Sequence, residues 1–205
     1  FRLINSDKYG KKNALTKGVD FSHFENIITI DADCIVPKGL LKEYSNKLNL
    51  GYDFITGPVV YSNNFILIYE LIGLVGIGAS SLYFNKPTMA NGANLCFKKV
   101  KFLELNGYEG NLNIASGDDE FLLHKFQQNK SKIGFLKSSN TIVEIDPPFS
   151  IYEFLQQRIR WSSKWRGNDG VKLLAPIFLF SLYGLQILLM FKFPFQDLFL
   201  FSILI

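Results

Sequence analysis

Three short stretches hold side chains able to do chemistry. At Asp31-Ala32-Asp33, two carboxylates stand two positions apart at the end of the apolar run Ile27-Ile28-Thr29-Ile30. At Asp118-Asp119-Glu120, three acids stand in a row. At Gln157-Arg158-Ile159-Arg160-Trp161, an amide, two guanidinium groups and an indole are interleaved. In an extended segment Asp31 and Asp33 point the same way and can reach one cation. If the chain turns after Ile30, one carboxylate can hold a metal while the other holds a neighbouring group. Crowded carboxylates need a metal, a proton or a basic group to compensate them.

Each stretch also has an ordinary explanation. Aspartate is common in turns that follow strands. Acids in a first helical turn are favoured by the helix dipole, although three in a row exceed what capping requires. Arg and Trp beside an apolar segment anchor chains at membrane interfaces.

The surrounding pattern says what must position these groups. The β-branched run Ile27–Ile30 has no helical spacing and reads as a buried strand delivering Asp31 and Asp33. Before it, Ser6–Lys17 is polar, with Lys8, Lys11, Lys12 and Lys17 around Gly10. Its lysines read as a solvated loop that collectively suits a phosphate-bearing ligand. A short helical pattern begins at Asn13-Ala14-Leu15 and runs toward Phe24. Pro37 suits a helix first turn, with Leu40–Leu48 continuing the helix.

Tyr52–Tyr61 reads as a strand interrupted by Gly57-Pro58, and Phe65–Phe84 as a buried or membrane-interfacial helix. In that helix Gly73, Gly76, Gly78 and Glu70 argue against a membrane span. Asn91-Gly92 signals a turn before a strand that resumes at Leu95. Val100–Leu105 reads as a helix, as does Phe121–Gln127, opened by the three acids. Ile133–Leu136 and Thr141–Ile145 read as short strands. Ser150 caps a helix through Trp161, with Glu153 in its first turn.

The chain has 205 residues, 48% of them hydrophobic, with 20 Phe. That is richer than an ordinary soluble domain, and the excess gathers in Phe65–Phe84 and Leu173–Ile205. The net charge of +4 is too mild to point to nucleic acid, and no such partner is expected. Two cysteines, Cys34 and Cys96, form no metal-ligand spacing and no disulfide framework.

From Leu173 to Phe191 there is no charged residue, long enough to span a bilayer core at about 1.5 Å per residue. Leu198–Ile205 reads as a truncated second span or the return half of a hairpin. The flank before Leu173 carries Arg158, Arg160, Lys164, Arg166 and Lys172 against Asp169 alone. This asymmetry puts that side in the cytosol, so an integral protein of the cell membrane with a cytosolic catalytic part is expected. With Phe1 in place of Met, the chain reads as an internal piece of a longer membrane protein.

In this order, and upstream of an apolar segment, the three stretches resemble the membrane-bound family 2 glycosyltransferases, the branch of cellulose, chitin and hyaluronan synthases. That branch is marked by D-x-D, E-D or D-D, and Q-x-x-R-W motifs. Here these stand as Asp31-Ala32-Asp33, Asp118-Asp119 and Gln157-x-x-Arg160-Trp161. Asn91-Gly92-Ala93-Asn94 looks like the family's segment before the catalytic acid, and Gly10-Lys11-Lys12-Asn13-Ala14-Leu15 like its Gly-Lys…Ala-Leu stretch. Asp118 departs from the usual Glu. The likeness covers nearly the whole chain.

The resemblance implies an α/β GT-A domain with a mixed, mostly parallel sheet, which binds nucleotides at the carboxyl ends of its strands. It implies a GT-A part at residues 1–149, an amphipathic interfacial helix at 150–172 and a transmembrane region at 173–205. The donor is then a nucleotide-diphosphate-sugar, a UDP-sugar in the first instance, and the acceptor a glycan or lipid. Asp33, with Asp31 close by, would hold Mg²⁺ or Mn²⁺. Lys11, Gln157 and Arg160 would bind the donor, with Trp161 offering a flat face to a sugar ring. Asp119, with Asp118 second, is the expected base in an inverting displacement. Two other readings use the same residues: a nucleotidyl- or phosphosugar-transferase, and a membrane-anchored nucleotide-sugar-binding module with a degenerate site.

Overall fold

The computed structural model describes residues 2–63, 65–112, 114, 116–162 and 181. The chain divides into two units, Phe1–Leu155 and Gln156–Ile205. Apart from Ser181, the apolar stretches Leu173–Phe191 and Leu198–Ile205 lie outside the described residues. No described helix is long and apolar enough to cross a membrane.

In chain order the elements are α1 (Lys11–Phe21), β1 (Asn26–Thr29), α2 (Leu40–Asn49), β2 (Phe54–Thr56), β3 (Val59–Tyr61), α3 (Phe65–Tyr83), β4 (Leu95–Lys98), α4 (Lys99–Glu104), α5 (Asp118–Gln128), β5 (Ile133–Phe135), β6 (Val143–Ile145) and α6 (Ile151–Ser162). A four-stranded sheet has the order β1-β4-β2-β5. β4 runs antiparallel to both its neighbours, while β2 and β5 are parallel. β1, β2 and β5 therefore share one direction, and the sheet is mixed and mostly parallel, as a GT-A domain requires.

Alternation along the strands sorts the side chains. Phe54, Leu95 and Phe97 turn toward one face and join Val19 of α1, Phe102 of α4, Tyr108, and Leu122, Leu123 and Phe126 of α5 in a core cluster. Its aromatic rings meet directly: Phe54 lies 5.1 Å from Phe126, Phe97 5.2 Å from Phe102, and Phe102 5.4 Å from Tyr108. Each buried aromatic removes a large apolar area from water. The helix carrying Asp118 and Asp119 is thus bolted to the sheet through its later turns.

Four expectations change. The apolar run before Asp31 is not a fully buried strand: β1 has β4 as its one strand neighbour among the described residues, and Ile27 and Ile28 are half-buried. An apolar run alone does not distinguish an edge from a central strand.

Tyr52–Tyr61 is two strands in two sheets. β3 leaves the main sheet to pair in parallel with β6, Val59 opposite Val143. Pro58 has no N–H for a ladder, and Gly57 N–H instead meets the Asn94 carbonyl at 2.8 Å.

Of the two readings of Phe65–Phe84, a buried or a membrane-interfacial helix, the buried one does not hold. Leu71 and Gly78 are buried, but Tyr69, Ile72, Ile77 and Tyr83 are exposed. Uniform hydropathy hides which face a neighbour covers.

Finally, Lys11 and Lys12 are not in a loop. They open α1, and Lys12 is buried.

Candidate active site

The direction of β4 brings the site together. Because β4 runs against β1 and β2, the loop that leads into it, Asn91–Asn94, lies where β1 and β2 end. Thr29, the last residue of β1, donates its hydroxyl to the Gly92 carbonyl at 3.0 Å. Thr56, the last residue of β2, accepts from Asn91 N–H at 3.1 Å. The Asn91 side chain accepts from Ala93 N–H at 3.1 Å, closing a local turn of the kind asparagine favours.

Asn94 is fully buried and anchors this loop. Its amide donates to the carbonyls of Pro58 and Thr141, both at 2.8 Å. Its side-chain oxygen accepts from the Tyr44 hydroxyl at 2.6 Å. One side chain thereby ties α2, the start of β3 and the lead-in to β6 to the loop.

On the far side of β1 the strand stops at Thr29 and the chain turns, Cys34 N–H donating to the Asp31 carbonyl at 3.2 Å. Asp31 and Asp33 therefore lie on a turn, not along an extended segment. The Cys34 thiol on the same turn is pushed up by burial and then by the charges of Asp31 and Asp33. Asp31 is engaged: Lys11 Nζ donates to its Oδ1 at 2.8 Å. Asp33 is exposed.

The same ammonium stands 3.5 Å from Asp118 Oδ2. Burial disfavours the charge on Lys11, but Asp31, Asp118 and Asp119 together offset it and hold Lys11 above the ordinary lysine range. Lys11 and Asp31 are each 43% exposed, and Asp118 only 13%. The pair thus grades from a wet donor side to a drier acid side.

α5 begins at Gly117, whose φ of 76° is left-handed and suits glycine. Asp119 serves two groups. Its Oδ1 accepts from Glu120 N–H at 2.9 Å, an ordinary helix-start bond, and its Oδ2 accepts from Gly92 N–H at 3.3 Å. A Cβ on Gly92 would lie 3.4 Å from Asp118 Oδ2 and 3.6 Å from Lys11 Nζ. The loop, the acids and Lys11 thus share one small space, and the buried phenol of Tyr108 is held far above its ordinary range by burial and then by Asp118 and Asp119.

Sequence patterns had singled out Lys11, Asp31, Asp118 and Asp119, and the structure brings these four together. Gly92 and Asn94 belong to the segment flagged before the acids, but their bonds to Asp119 and Tyr44 carry no sequence signature. Lys12 was read as solvated; its burial is signalled only by its spacing from Leu15 and Val19 on one face of α1.

Gln157, Arg160 and Trp161 belong to the second unit. There Arg158 contacts both Gln157 and Trp161. Its Nη1 donates to Gln157 Oε1 at 2.7 Å, and its guanidinium sits 4.4 Å from the Trp161 ring centre. Arg160 is exposed. Ser150 caps α6 as expected, accepting from Glu153 N–H at 3.1 Å, while Glu153 reaches back to Phe149 N–H at 2.9 Å.

A family model described as glycosyl transferase family group 2 matches residues 26–205. The chain belongs to this family. It is a glycosyltransferase, and membership implies a nucleotide-sugar donor and an acceptor. No curated protein matches the chain significantly.

The donor set of this glycosyltransferase fits a substrate-borne divalent cation. Among the described residues no three His, Cys, Asp or Glu side chains gather as a metal cage. Magnesium-type sites are built instead from one or two carboxylates, with phosphate and water completing the shell. The Asp31–Asp33 turn offers that many oxygen donors, at the strand ends where this fold binds nucleotides.

Proposed function

We propose that this glycosyltransferase moves a sugar from a nucleotide-diphosphate-sugar, a UDP-sugar in the first instance, to an acceptor hydroxyl with inversion at the anomeric carbon. The acceptor is a glycan or lipid, and the reaction runs at the cytosolic face of the cell membrane. One observation carries the reading: Lys11 links Asp31, on the strand-end turn, to Asp118, at the start of α5.

The donor diphosphate lies at the Asp31–Asp33 turn, where Asp33 and Asp31 would hold Mg²⁺ or Mn²⁺. Such an ion neutralises charge on the departing diphosphate. Lys11, beside Asp31 at the same turn, would offer its ammonium to the phosphate oxygens of the donor. Asp119 takes the acceptor O–H proton. The acceptor oxygen bonds the anomeric carbon as the bond to the β-phosphate oxygen breaks, and that electron pair leaves with the nucleoside diphosphate. Gly92 N–H holds the Asp119 carboxylate in a fixed orientation, so little is reorganised during reaction. Gln157, Arg160 and Trp161 supply further donor contacts in this reading, and the uncharged stretch 173–191 holds the protein in the membrane.

A donor screen on the full-length membrane protein tests this. Nucleoside-diphosphate release that needs acceptor and Mn²⁺ or Mg²⁺, and stops with chelator, is the expected result. Release of pyrophosphate or nucleoside monophosphate would point instead to nucleotidyl or phosphosugar transfer. Donor binding without turnover would point to a degenerate binding module.

A further inference from the structure

Lys12 stands only 5% exposed on α1. Its ammonium donates to three main-chain carbonyls: Asn111 at 2.8 Å, Ile114 at 2.7 Å and Ser116 at 3.1 Å. An ammonium has three N–H groups to offer such acceptors. All three oxygens belong to the stretch that leads through Gly117 into α5, so the last of them precedes Asp118 by two residues.

Burying a charge is costly unless its hydrogen bonds are made. An apolar side chain would fill the same room without that cost, so packing alone does not require a lysine here. Three carbonyl oxygens that converge on one point need a donor with several N–H groups, and the ammonium supplies them. The neighbouring residue sharpens this. Lys11 holds the Asp118 carboxylate and Asp31, while Lys12 holds the backbone that leads to Asp118. Two consecutive residues of one helical turn thus grip both the side chain and the main chain of the acid segment.

We propose that Lys12 is a positioning residue for sugar transfer, its caged ammonium setting where Asp118 and Asp119 stand relative to Asp31. The inference rests on reading Asp119 as the base. Lys12 acts through the carbonyls of Asn111, Ile114 and Ser116, not as a group that reacts. Without the ammonium these three carbonyls lose their shared donor, and Asp119 shifts from its place beside Gly92. A displacement of about 1 Å in a reacting group costs on the order of 100-fold in rate.

The test compares full-length wild type, Lys12→Met and Asp119→Asn. Expected for Lys12→Met is a kcat for transfer lower by roughly 10- to 100-fold, with the calorimetric affinity for nucleoside diphosphate and Mn²⁺ within about twofold of wild type. A wild-type kcat in Lys12→Met, with Asp119→Asn inactive, overturns this inference alone. Parallel loss of kcat and donor affinity overturns it too, since that marks a merely structural lysine. Full activity in Asp119→Asn overturns the underlying reading instead. Should Lys12→Met fail to fold, Lys12→Ala is assayed in increasing propylammonium. Recovery of kcat with amine supports the cage, and a restored thermal midpoint without recovered kcat overturns it.

Discussion

Lys11 and Asp31, twenty positions apart, are joined by a 2.8 Å hydrogen bond between the start of α1 and the turn after β1. This bond ties the two elements together, and its energetics are open to a pH test. Asp31, Asp118 and Asp119 raise the Lys11 ammonium above its ordinary range. A cation raised on folding adds stability that is fully present below its unfolded value and is lost as pH climbs through the folded one. At neutral pH the contribution is therefore complete, and it disappears on the alkaline side of 10.5. Both groups are well exposed, so screening keeps it to about 0–1 kcal/mol. Lys11→Met should lower the denaturant midpoint slightly at pH 7 and converge with wild type at strongly alkaline pH. An equal gap at every pH would refute the assignment.

Asp119→Asn keeps the shape and one of the two accepting oxygens that now meet Gly92 N–H and Glu120 N–H, but it cannot take the acceptor's proton. Sugar transfer should fall by roughly 10²- to 10⁴-fold, with nucleoside-diphosphate affinity unchanged by calorimetry. If donor affinity falls in step with rate, the base lies elsewhere, and Asp118→Asn becomes the next variant.

Asp33→Ala should remove the Mn²⁺-dependent part of nucleoside-diphosphate binding while leaving the fold untouched, because Asp33 is exposed. Titration with and without chelator separates the two parts. An unchanged titration would shift the metal to Asp31 or to the donor alone.

Asn94→Ala is a stability prediction. It leaves the Pro58 and Thr141 carbonyls and the Tyr44 hydroxyl without the amide they share. Orphaned buried polar groups of this kind should cost roughly 2–4 kcal/mol together, read as a lower denaturant midpoint at constant slope. A loss under about 0.5 kcal/mol would mean that water replaces the amide.

Arg160→Lys retains charge but loses the planar fork that matches a diphosphate. Reduced turnover with unchanged membrane association is expected if Arg160 meets the donor. Arg158→Lys should instead remove the guanidinium that now meets Gln157 and the Trp161 ring, read as a change in tryptophan fluorescence that is absent when Trp161 is replaced by Phe. Wild-type turnover in Arg160→Lys would make Arg160 an interfacial anchor.

Much of this was legible in the chain itself, because it depends on local order. A β-branched run ending in two acids places them at a strand's carboxyl end. Three acids before an apolar-periodic segment place them at a helix start. The succession of D-x-D, D-D and Q-x-x-R-W pointed to family 2, and the match over residues 26–205 bears out the family, though not the membrane-bound branch. Strand boundaries were off by a residue or two, as they are wherever pattern alone sets them.

Tertiary structure decided what depends on meetings between distant segments. Strand order is not written in any one strand, so only pairing showed β1 with β4 as its described neighbour and β3 in a second sheet. The antiparallel course of β4 is what carries Gly92 to Asp119. The two lysines show the point most clearly. Side by side in the chain, Lys11 and Lys12 look alike to composition and hydropathy. One faces two carboxylates and the other three main-chain carbonyls, because a helix turns successive side chains by about 100°, and only the folded chain supplies what each then meets.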